Sequence, residues 1–251
     1  MAMTRQQKVT ILALVLYWPT LFVLAHIPVP EVVREAGISD KSLHFLTYMI
    51  LTFLLFSAVQ PGSKLTWRRT APWLTLVVVL SYAICDEYLQ RFVAGRFMDA
   101  RDLVADAAGA LAALALLSVF SFWPGLSIVT GTSIYTLAVF TRANVTELLP
   151  VTSTVFQLAT HGLFTLLWIA CLRASFGRKK LDRRWVVASL SAPLGLLLAT
   201  KASALILGRA LEAWDVVAAA AGIVGTVAAC FALGRARSKA TKSTELSGAE
   251  A

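Results

Sequence analysis

Long apolar stretches separated by short polar ones follow one another along almost the whole chain. A helix needs ~20 apolar residues to cross the hydrocarbon core of a bilayer. Eight windows meet this requirement, at residues 8–26, 43–60, 72–90, 103–123, 126–142, 154–173, 185–207 and 214–234. The pattern predicts an all-α, polytopic membrane bundle of about eight transmembrane helices. Residues 235–251 are small, polar and charged, and we expect a disordered tail there.

The composition supports a membrane protein and excludes several other classes. Hydrophobic residues make up 58% of the chain, charged residues 15%, and the mean hydropathy is +0.72. Soluble domains carry roughly 25% charged residues. The net charge of +9 is spread over short loops and the tail and forms no aromatic and basic face, so no nucleic-acid partner is predicted. The three cysteines all lie in apolar windows and indicate no disulfide framework.

The distribution of charge predicts the orientation. If successive windows alternate in direction, most of the 23 Lys and Arg residues lie on the side of the N-terminus, including the run RKKLDRR at 178–184. Most of the 14 acidic residues lie on the opposite side. The positive-inside rule therefore predicts a multi-pass protein of the inner (plasma) membrane, with both termini cytoplasmic and the acidic residues facing outward.

Two segments of the chain are similar in sequence to each other. GRFMDARDLVADAAG at 95–109 matches GRALEAWDVVAAAAG at 208–222 at nine of fifteen positions. We interpret this as a duplication, with a first four-helix unit at 1–123 and a degenerate second unit at 124–234. Because each unit has an even number of helices, the two repeats would share one orientation in the membrane.

The two predicted units differ in their polar residues. A histidine stands in the second helix of each unit, His44 and His161. Where the first unit has Asp86 and Glu87, however, the second has alanine and threonine. Ionisable residues within membrane helices are costly and usually functional, so we expect the functional site in the first unit.

Three polar groups in the first unit lie near helix ends on the same predicted side of the membrane, and we expect them to line one pocket. Asp40 and His44 are four residues apart and therefore share a helix face. The candidate catalytic residues are Asp86, Glu87 and His44; the candidate substrate-binding residues are Arg96, Gln90, Asp40 and Asp102.

The spacing leaves the chemistry of this group open. Carboxylates near a histidine can hold a divalent cation, or divide into an acid and a base because crowded like charges separate their pKa values. They can also pair with Arg96 and lock helices together. Asp102 and Asp215 are in addition candidate helix N-caps.

Three segments of the first half resemble the VanZ-like family of membrane proteins. They are DKSLHF at 40–45, DEYLQRFVAGR at 86–96 and DLVADAAGA at 102–110, and the resemblance extends over roughly residues 10–122. It places the seven candidate residues on polar positions that recur in the family. The founding member is associated with resistance to the glycopeptide antibiotic teicoplanin, so the resemblance implies a cell-envelope role, with a glycopeptide response as one context.

Two functional hypotheses follow. In the first, the outward-facing pocket binds or acts on a cell-envelope component, such as an anionic lipid phosphate or an envelope precursor, with a divalent cation as a candidate cofactor and Arg96 holding the anionic group. In the alternative, the chain is a non-enzymatic scaffold, accessory or transport protein whose polar residues clasp helices together. The sequence leaves open whether the protein is an enzyme.

Overall fold

The structure is a computed structural model, and over the residues that it describes the chain is helical. These residues are 3–27, 40–62, 64–94, 96, 98–140, 150–176 and 182–249, the last of them as backbone alone from 237 onward. The helices are α1 Arg5–Ala25, α2 Asp40–Val59, α3 Thr70–Gln90, α4 Ala100–Val119, α5 Phe122–Phe140, α6 Pro150–Phe176, α7 Arg183–Ile206 and α8 Ala213–Ala249. No strand occurs in this part of the chain, which confirms the predicted all-α class.

Seven of the eight described helices are long and apolar enough to cross a membrane; the remaining helix is α5. α5 is the shortest of the described helices, with 19 residues. Large apolar side chains also face outward, including Ile206, which is 85% exposed, and Val104 at 68%. Water would penalise so much exposed apolar surface. The chain is therefore a multi-pass membrane protein in contact with lipid.

The chain divides into two compact units, residues 1–144 and 145–251. The helix α5, which the sequence analysis groups with the second unit, packs against α2 and α4 of the first. Phe122 of α5 stands 5.6 Å from Phe53 of α2, measured between ring centroids. A Cβ on Gly125 would lie 3.0 Å from the Phe53 ring, so this contact needs a residue without a side chain. Aromatic packing at the start of α5 thus places this helix in the first compact unit, while the repeat boundary at 123 stays a prediction.

The first unit is organised around α2, which lies closest to α4. A Cβ on Gly109 of α4 would overlap the carbonyl oxygen of Phe45 and lie 3.0 Å from the amide nitrogen of Met49. Ala110 and Ala113, on the same stretch of α4, are fully buried. Small residues let membrane helices approach closely and gain dispersion contacts along their length. This crossing fixes the start of α2 beside the start of α4.

The second unit contains a similar crossing between α6 and α8. A Cβ on Gly222 of α8 would overlap the carbonyl oxygen of Leu158 and lie 3.2 Å from the amide nitrogen of Gly162. Trp185, at the beginning of α7, is buried and packs with Ile169 and Val227. The second unit therefore has its own core, as expected for a separate folding unit.

Two details differ from the sequence-based expectations. The backbone of α8 is helical to Ala249, where the composition of residues 235–251 predicts a disordered tail. Alanine, lysine, arginine and glutamate in this stretch have high helix propensity, which favours continuation of the helix. In addition, Asp102 and Asp215 are not N-caps, because each lies inside the first turn of its helix.

Candidate functional site

Polar and charged side chains gather at one end of the first unit, where α2 and α4 begin and α1 and α3 end. The buried polar side chains at this end belong to α2, α3 and α4. They are His44, Tyr48, Asp86, Glu87, Gln90, Asp102 and Asp106. Buried charged groups are rare unless they are paired, bind a ligand or do chemistry. The contacts of each group show how the site is built.

The central contact is a pair between α2 and α4. Nδ1 of His44 lies 2.9 Å from Oδ1 of Asp106, and both residues are buried, at 8% and 1% exposure. Because a carboxylate only accepts, the pairing assigns the imidazole proton to Nδ1. The lone pair of the neutral ring is then on Nε2, which lies 4.0 Å from Oδ1 of the exposed Asp40.

A lysine connects the start of α2 to the start of α4. Nζ of Lys41 lies 2.9 Å from Oδ1 of Asp102 and 3.0 Å from Oδ2 of Asp99. Asp99 is the N-cap of α4, since its Oδ1 accepts from the backbone N–H of Arg101 at 2.9 Å. That hydrogen bond, together with the Lys41 ammonium, lowers the pKa of Asp99. Asp102 therefore serves as an ion-pair partner and Asp99 takes the capping role.

The end of α3 carries a chain of hydrogen bonds from a carboxylate to an arginine. Oδ2 of Asp86 accepts from Nε2 of Gln90 at 2.9 Å and from the Tyr48 hydroxyl at 3.4 Å. Oε1 of Gln90 in turn accepts from Nη1 of Arg96 at 3.0 Å. Nδ1 of His26, just after α1, lies 3.8 Å from Oδ1 of Asp86. The amide of Gln90 thus separates Arg96 from Asp86, so the two charges are bridged without direct contact.

Glu87 joins α3 to the segment that precedes α4. Its Oε1 accepts from the backbone N–H of Asp99 at 2.6 Å. Its Oε2 is buried and has no hydrogen-bond partner among the residues that the structure describes. The same holds for Oδ1 of Asp86 and for Nε of Arg96. Nε2 of His26 and the Tyr82 hydroxyl, both beside Asp86, likewise have no hydrogen-bond partner among these residues. Most buried polar atoms in folded proteins are paired, so five unpartnered atoms in one region need an explanation.

The structure brings the seven candidate residues of the sequence analysis into one region, in two adjoining groups. Asp40, His44, Asp102 and Glu87 belong to the group around Asp106, whereas Asp86, Gln90 and Arg96 form the hydrogen-bonded chain just described. Asp86 and Asp106 are close enough to interact electrostatically, which connects the two groups.

Five participants were not among the candidate catalytic and substrate-binding residues, namely His26, Lys41, Tyr48, Asp99 and Asp106. Lys41 belongs to the DKSLHF segment, but nothing in the spacing indicated its two carboxylate partners. Asp106 is four residues after Asp102, and that helical spacing was the available signal. His26 is the residue that follows α1. The only sequence signal for its role in the site was its position, since it is a titratable residue at a helix end on the membrane side where the acidic residues lie.

Oxygen and nitrogen ligands for a cation occur in the first group. One side-chain atom from each of Asp40, His44 and Asp102 can be chosen so that all lie within 4.8 Å of one another. Such a distance between ligands is compatible with a single ion between them. Other arrangements of the same groups support proton transfer, because His44 is already oriented by a carboxylate.

The described part of the second unit has no comparable group of paired histidine and carboxylates. If the two glycine crossings are superposed, Phe45 aligns with Leu158, and His44 then aligns with Gln157 and Tyr48 with His161. The predicted repeat would need this alignment in place of the pairing of His44 with His161. Nδ1 of His161 lies 3.0 Å from the backbone oxygen of Gln157, a contact within one helix.

The fold and the site together define a multi-pass helical membrane protein with a buried histidine–carboxylate site at one end of its first unit. The VanZ/LLP1 family model matches residues 5–121, and these residues contain α1 to α4 and every side chain of the site. The first half of the chain thus matches the VanZ/LLP1 family. No curated protein and no solved structure matches the chain.

Proposed function

We propose that this chain is a plasma-membrane protein whose first unit binds, and acts on, a phosphate-bearing component of the cell envelope. The observation that carries this proposal is three buried polar atoms without a hydrogen-bond partner among the described residues, on the buried Asp86 and Glu87 and on the half-buried Arg96. A group of side chains that only clasped helices would gain most by pairing all of these atoms, since each unmade buried hydrogen bond costs ~1–3 kcal/mol. Two carboxylate oxygens that can accept and one guanidinium N–H that can donate suit a polar ligand.

Arg96 is the side chain best suited to hold the anionic group. Among the described residues no carboxylate forms an ion pair with its guanidinium, and its one hydrogen bond goes to the neutral Gln90. Lys41, by contrast, is already engaged by two carboxylates. The planar guanidinium donates two parallel hydrogen bonds to phosphate oxygens, which an ammonium cannot do. A phosphate bound at Arg96 would also satisfy Nε, which has no hydrogen-bond partner in the described part of the chain.

The histidine–carboxylate pair supplies the reactive side of the proposed site. Asp106 holds His44 in the tautomer that presents the Nε2 lone pair, which can accept a proton or bind an electrophilic centre. Glu87 adds a buried carboxylate oxygen in the same group. An anion-binding arginine beside a positioned base suits chemistry at a lipid phosphate.

The orientation of the chain supports an envelope substrate. Basic residues concentrate on the side of the N-terminus, including Arg5, Lys8, Arg68 and Arg69, and the site lies at the opposite end of the first unit. By the positive-inside rule both termini are cytoplasmic and the site opens to the outer surface. The molecules available there are membrane lipids and envelope precursors.

The alternative function is a scaffold in which the same residues hold helices together. It is supported by Lys41, which joins α2 to α4, and by Glu87, which joins α3 to the backbone of Asp99. The two functions predict different effects of Asp86→Asn. A catalyst would lose activity and keep its thermal stability, whereas a clasp would lose thermal stability.

Binding of a phosphate headgroup is the direct test. We would purify the full chain in detergent and measure the thermal unfolding midpoint with a short-chain phosphatidic acid or with the matching phosphatidylcholine. We expect phosphatidic acid to raise the midpoint of the wild type, and Arg96→Gln to abolish most of that shift, because occupancy of a site stabilises the folded state.

Arg91→Gln is the matched control. Arg91 lies five residues earlier, is exposed and stacks on Tyr88, with 3.7 Å between its guanidinium carbon and the ring centroid. This variant should keep the wild-type shift. Equal shifts for both lipids, or an undiminished shift in Arg96→Gln, would contradict anion binding at this site.

A further inference from the structure

The first group of the site has the composition of a metal centre. Asp40, His44 and Asp102 offer two carboxylates and one imidazole whose ligand atoms lie within 4.8 Å of one another. Glu87 is close enough to His44 and Asp102 to interact with them electrostatically, and its buried Oε2 has no partner among the described residues. Glu87 therefore adds an unpartnered buried carboxylate oxygen to the negative charge beside these three potential ligands, and this charge favours a cation.

The surroundings of His44 provide a second, independent indication. Metal-binding histidines usually donate their other ring N–H to a carboxylate, which fixes the tautomer and increases the basicity of the ligating nitrogen. Asp106 takes that position here, at 2.9 Å from Nδ1. The other ring nitrogen, Nε2, is the atom that lies beside Asp40. The histidine is therefore positioned and in the correct tautomer to bind a cation through Nε2.

We propose that the first unit binds one divalent transition-metal ion through Asp40, Nε2 of His44 and Asp102, with Asp106 as the residue that positions His44. Three protein ligands leave coordination positions for water or for an anionic headgroup, as in catalytic metal sites. This inference deepens the proposed function of the same site and rests on it, since it supplies the Lewis acid that would act on a phosphate held by Arg96.

The ligand set indicates which ions would bind. Two carboxylates and one imidazole suit Mn²⁺ or Zn²⁺, because imidazole favours transition metals and carboxylates alone favour Mg²⁺ and Ca²⁺. No thiolate is present in the group, which disfavours Cu(I). Mn²⁺ and Zn²⁺ are therefore the probes to use.

Lys41 gives the proposal an unusual control. Its ammonium contacts Oδ1 of Asp102 and so competes with any cation for that carboxylate. Replacing Lys41 by methionine removes one positive charge beside the site while keeping most of the side-chain volume. The affinity for a divalent ion should then increase about tenfold, from Coulomb repulsion over a few ångströms near the protein surface. A purely structural role for the acidic residues gives no reason for tighter metal binding.

The experiment measures metal binding to the purified full chain without added lipid. Protein stripped with a chelator is titrated with Mn²⁺, followed by the EPR signal of the free ion, and Zn²⁺ is measured by equilibrium dialysis and elemental analysis. We expect one ion per wild-type chain. Affinity should fall at least tenfold in Asp40→Asn, His44→Gln and Asp102→Asn, and about 10–100-fold in Asp106→Asn, which disturbs only the positioning of His44.

His161→Gln is the matched control, because it makes the same change at a buried histidine of the second unit and should leave metal binding unchanged. Asp40→Asn and Lys41→Met alter partly exposed side chains, so both variants should fold. Their metal affinities therefore remain interpretable if the variants at buried residues misfold. Absence of binding below about 1 mM, the weak end of protein divalent-ion sites, would overturn the proposal. Binding that persists undiminished in Asp40→Asn and His44→Gln would also overturn it.

Failure of this proposal can be distinguished from failure of the proposed function. Arg96→Gln should lose the stabilisation by phosphatidic acid and keep its metal affinity, because Arg96 contacts Gln90 and none of the proposed ligands. A chain that binds phosphatidic acid through Arg96 but no metal would retain the proposed function and refute only the metal centre. A chain that binds metal but no phosphatidic acid would refute the anion site alone.

Discussion

The imidazole of His44 and the carboxylate of Asp106 form a buried pair, with 2.9 Å between Nδ1 and Oδ1, across 62 residues of sequence. The pair joins the first turns of α2 to those of α4 in a region where burial makes an isolated charge or donor costly. Its presence both orients the histidine and contributes to the contact between the two helices.

The energetic coupling of this pair can be measured with a double-mutant cycle. Asp106→Leu and His44→Leu each leave one buried polar partner unpaired, so each should lower the free energy of unfolding by about 1–3 kcal/mol. The double variant leaves neither partner and should be more stable than the sum of the single effects predicts. Reversible unfolding in detergent gives the values. Strictly additive losses would show that the two side chains do not interact.

The α2–α4 crossing should be sensitive to a single methyl group. Gly109→Ala places a Cβ against the carbonyl oxygen of Phe45, which belongs to backbone and cannot rotate away. We expect a loss of about 1–3 kcal/mol or more, as in overpacked cores. Thermal unfolding of the purified chain is the measurement.

Gly225→Ala is the control for this prediction, because a Cβ on Gly225 would meet no atom within 4 Å. It should be neutral or stabilise the helix by up to ~1 kcal/mol, since alanine is the better helix former. Gly222→Ala should resemble Gly109→Ala, because its Cβ would overlap the oxygen of Leu158. Full tolerance of both crowded substitutions would contradict the two close crossings.

Stability should fall in acid partly through Asp99. The N–H of Arg101 and the Lys41 ammonium lower its pKa in the folded chain. A carboxylate with a depressed folded pKa contributes stability above its unfolded pKa, about 3.9, and loses that contribution as the pH falls through the folded value. Asp99→Asn, which can still cap α4, should therefore show a smaller loss of thermal stability between pH ~4 and pH ~2. Identical pH profiles for the two proteins would assign the acid sensitivity to other groups.

The predicted orientation can be checked by cysteine labelling. In a background without the three native cysteines, Met98→Cys in the loop before α4 should react with a membrane-impermeant maleimide on intact cells. Arg68→Cys, at the other end of α3, should react only after permeabilisation. Both positions are exposed. The reverse pattern would place the site in the cytoplasm and remove the argument for an envelope substrate.

The helices were predictable because bilayer-spanning segments have a strong one-dimensional signal, and the windows overlap all eight helices. The clustering of Asp40, His44, Asp86 and Asp102 was predictable for a related reason. Residues spaced by four share a helix face, and successive antiparallel helices return to the same side of the membrane. The packing of α5 with the first compact unit was not predictable, since it depends on a tertiary contact between Phe53 and Phe122.

Partners within the site were harder to foresee than its location. Lys41 contacts Asp99 and Asp102, which lie 58 and 61 residues away, and no local pattern distinguishes it from a lysine at a helix end. The choice between Asp99 and Asp102 as the cap of α4 depends on where the helix begins, a boundary that is uncertain by a residue or two from sequence. The tandem repeat stays a prediction, supported by the matching glycine crossings.

The tight crossing at Gly109 also limits how a bulky molecule can reach His44. Gly109 lies three residues after Asp106 on α4, and there the backbone of α2 leaves no room for a Cβ. Sliding or separating these two helices would lose close packing along their whole length. A lipid headgroup is therefore expected to approach from the side of α1 and α3, where His26 and Asp86 lie, and not between α2 and α4.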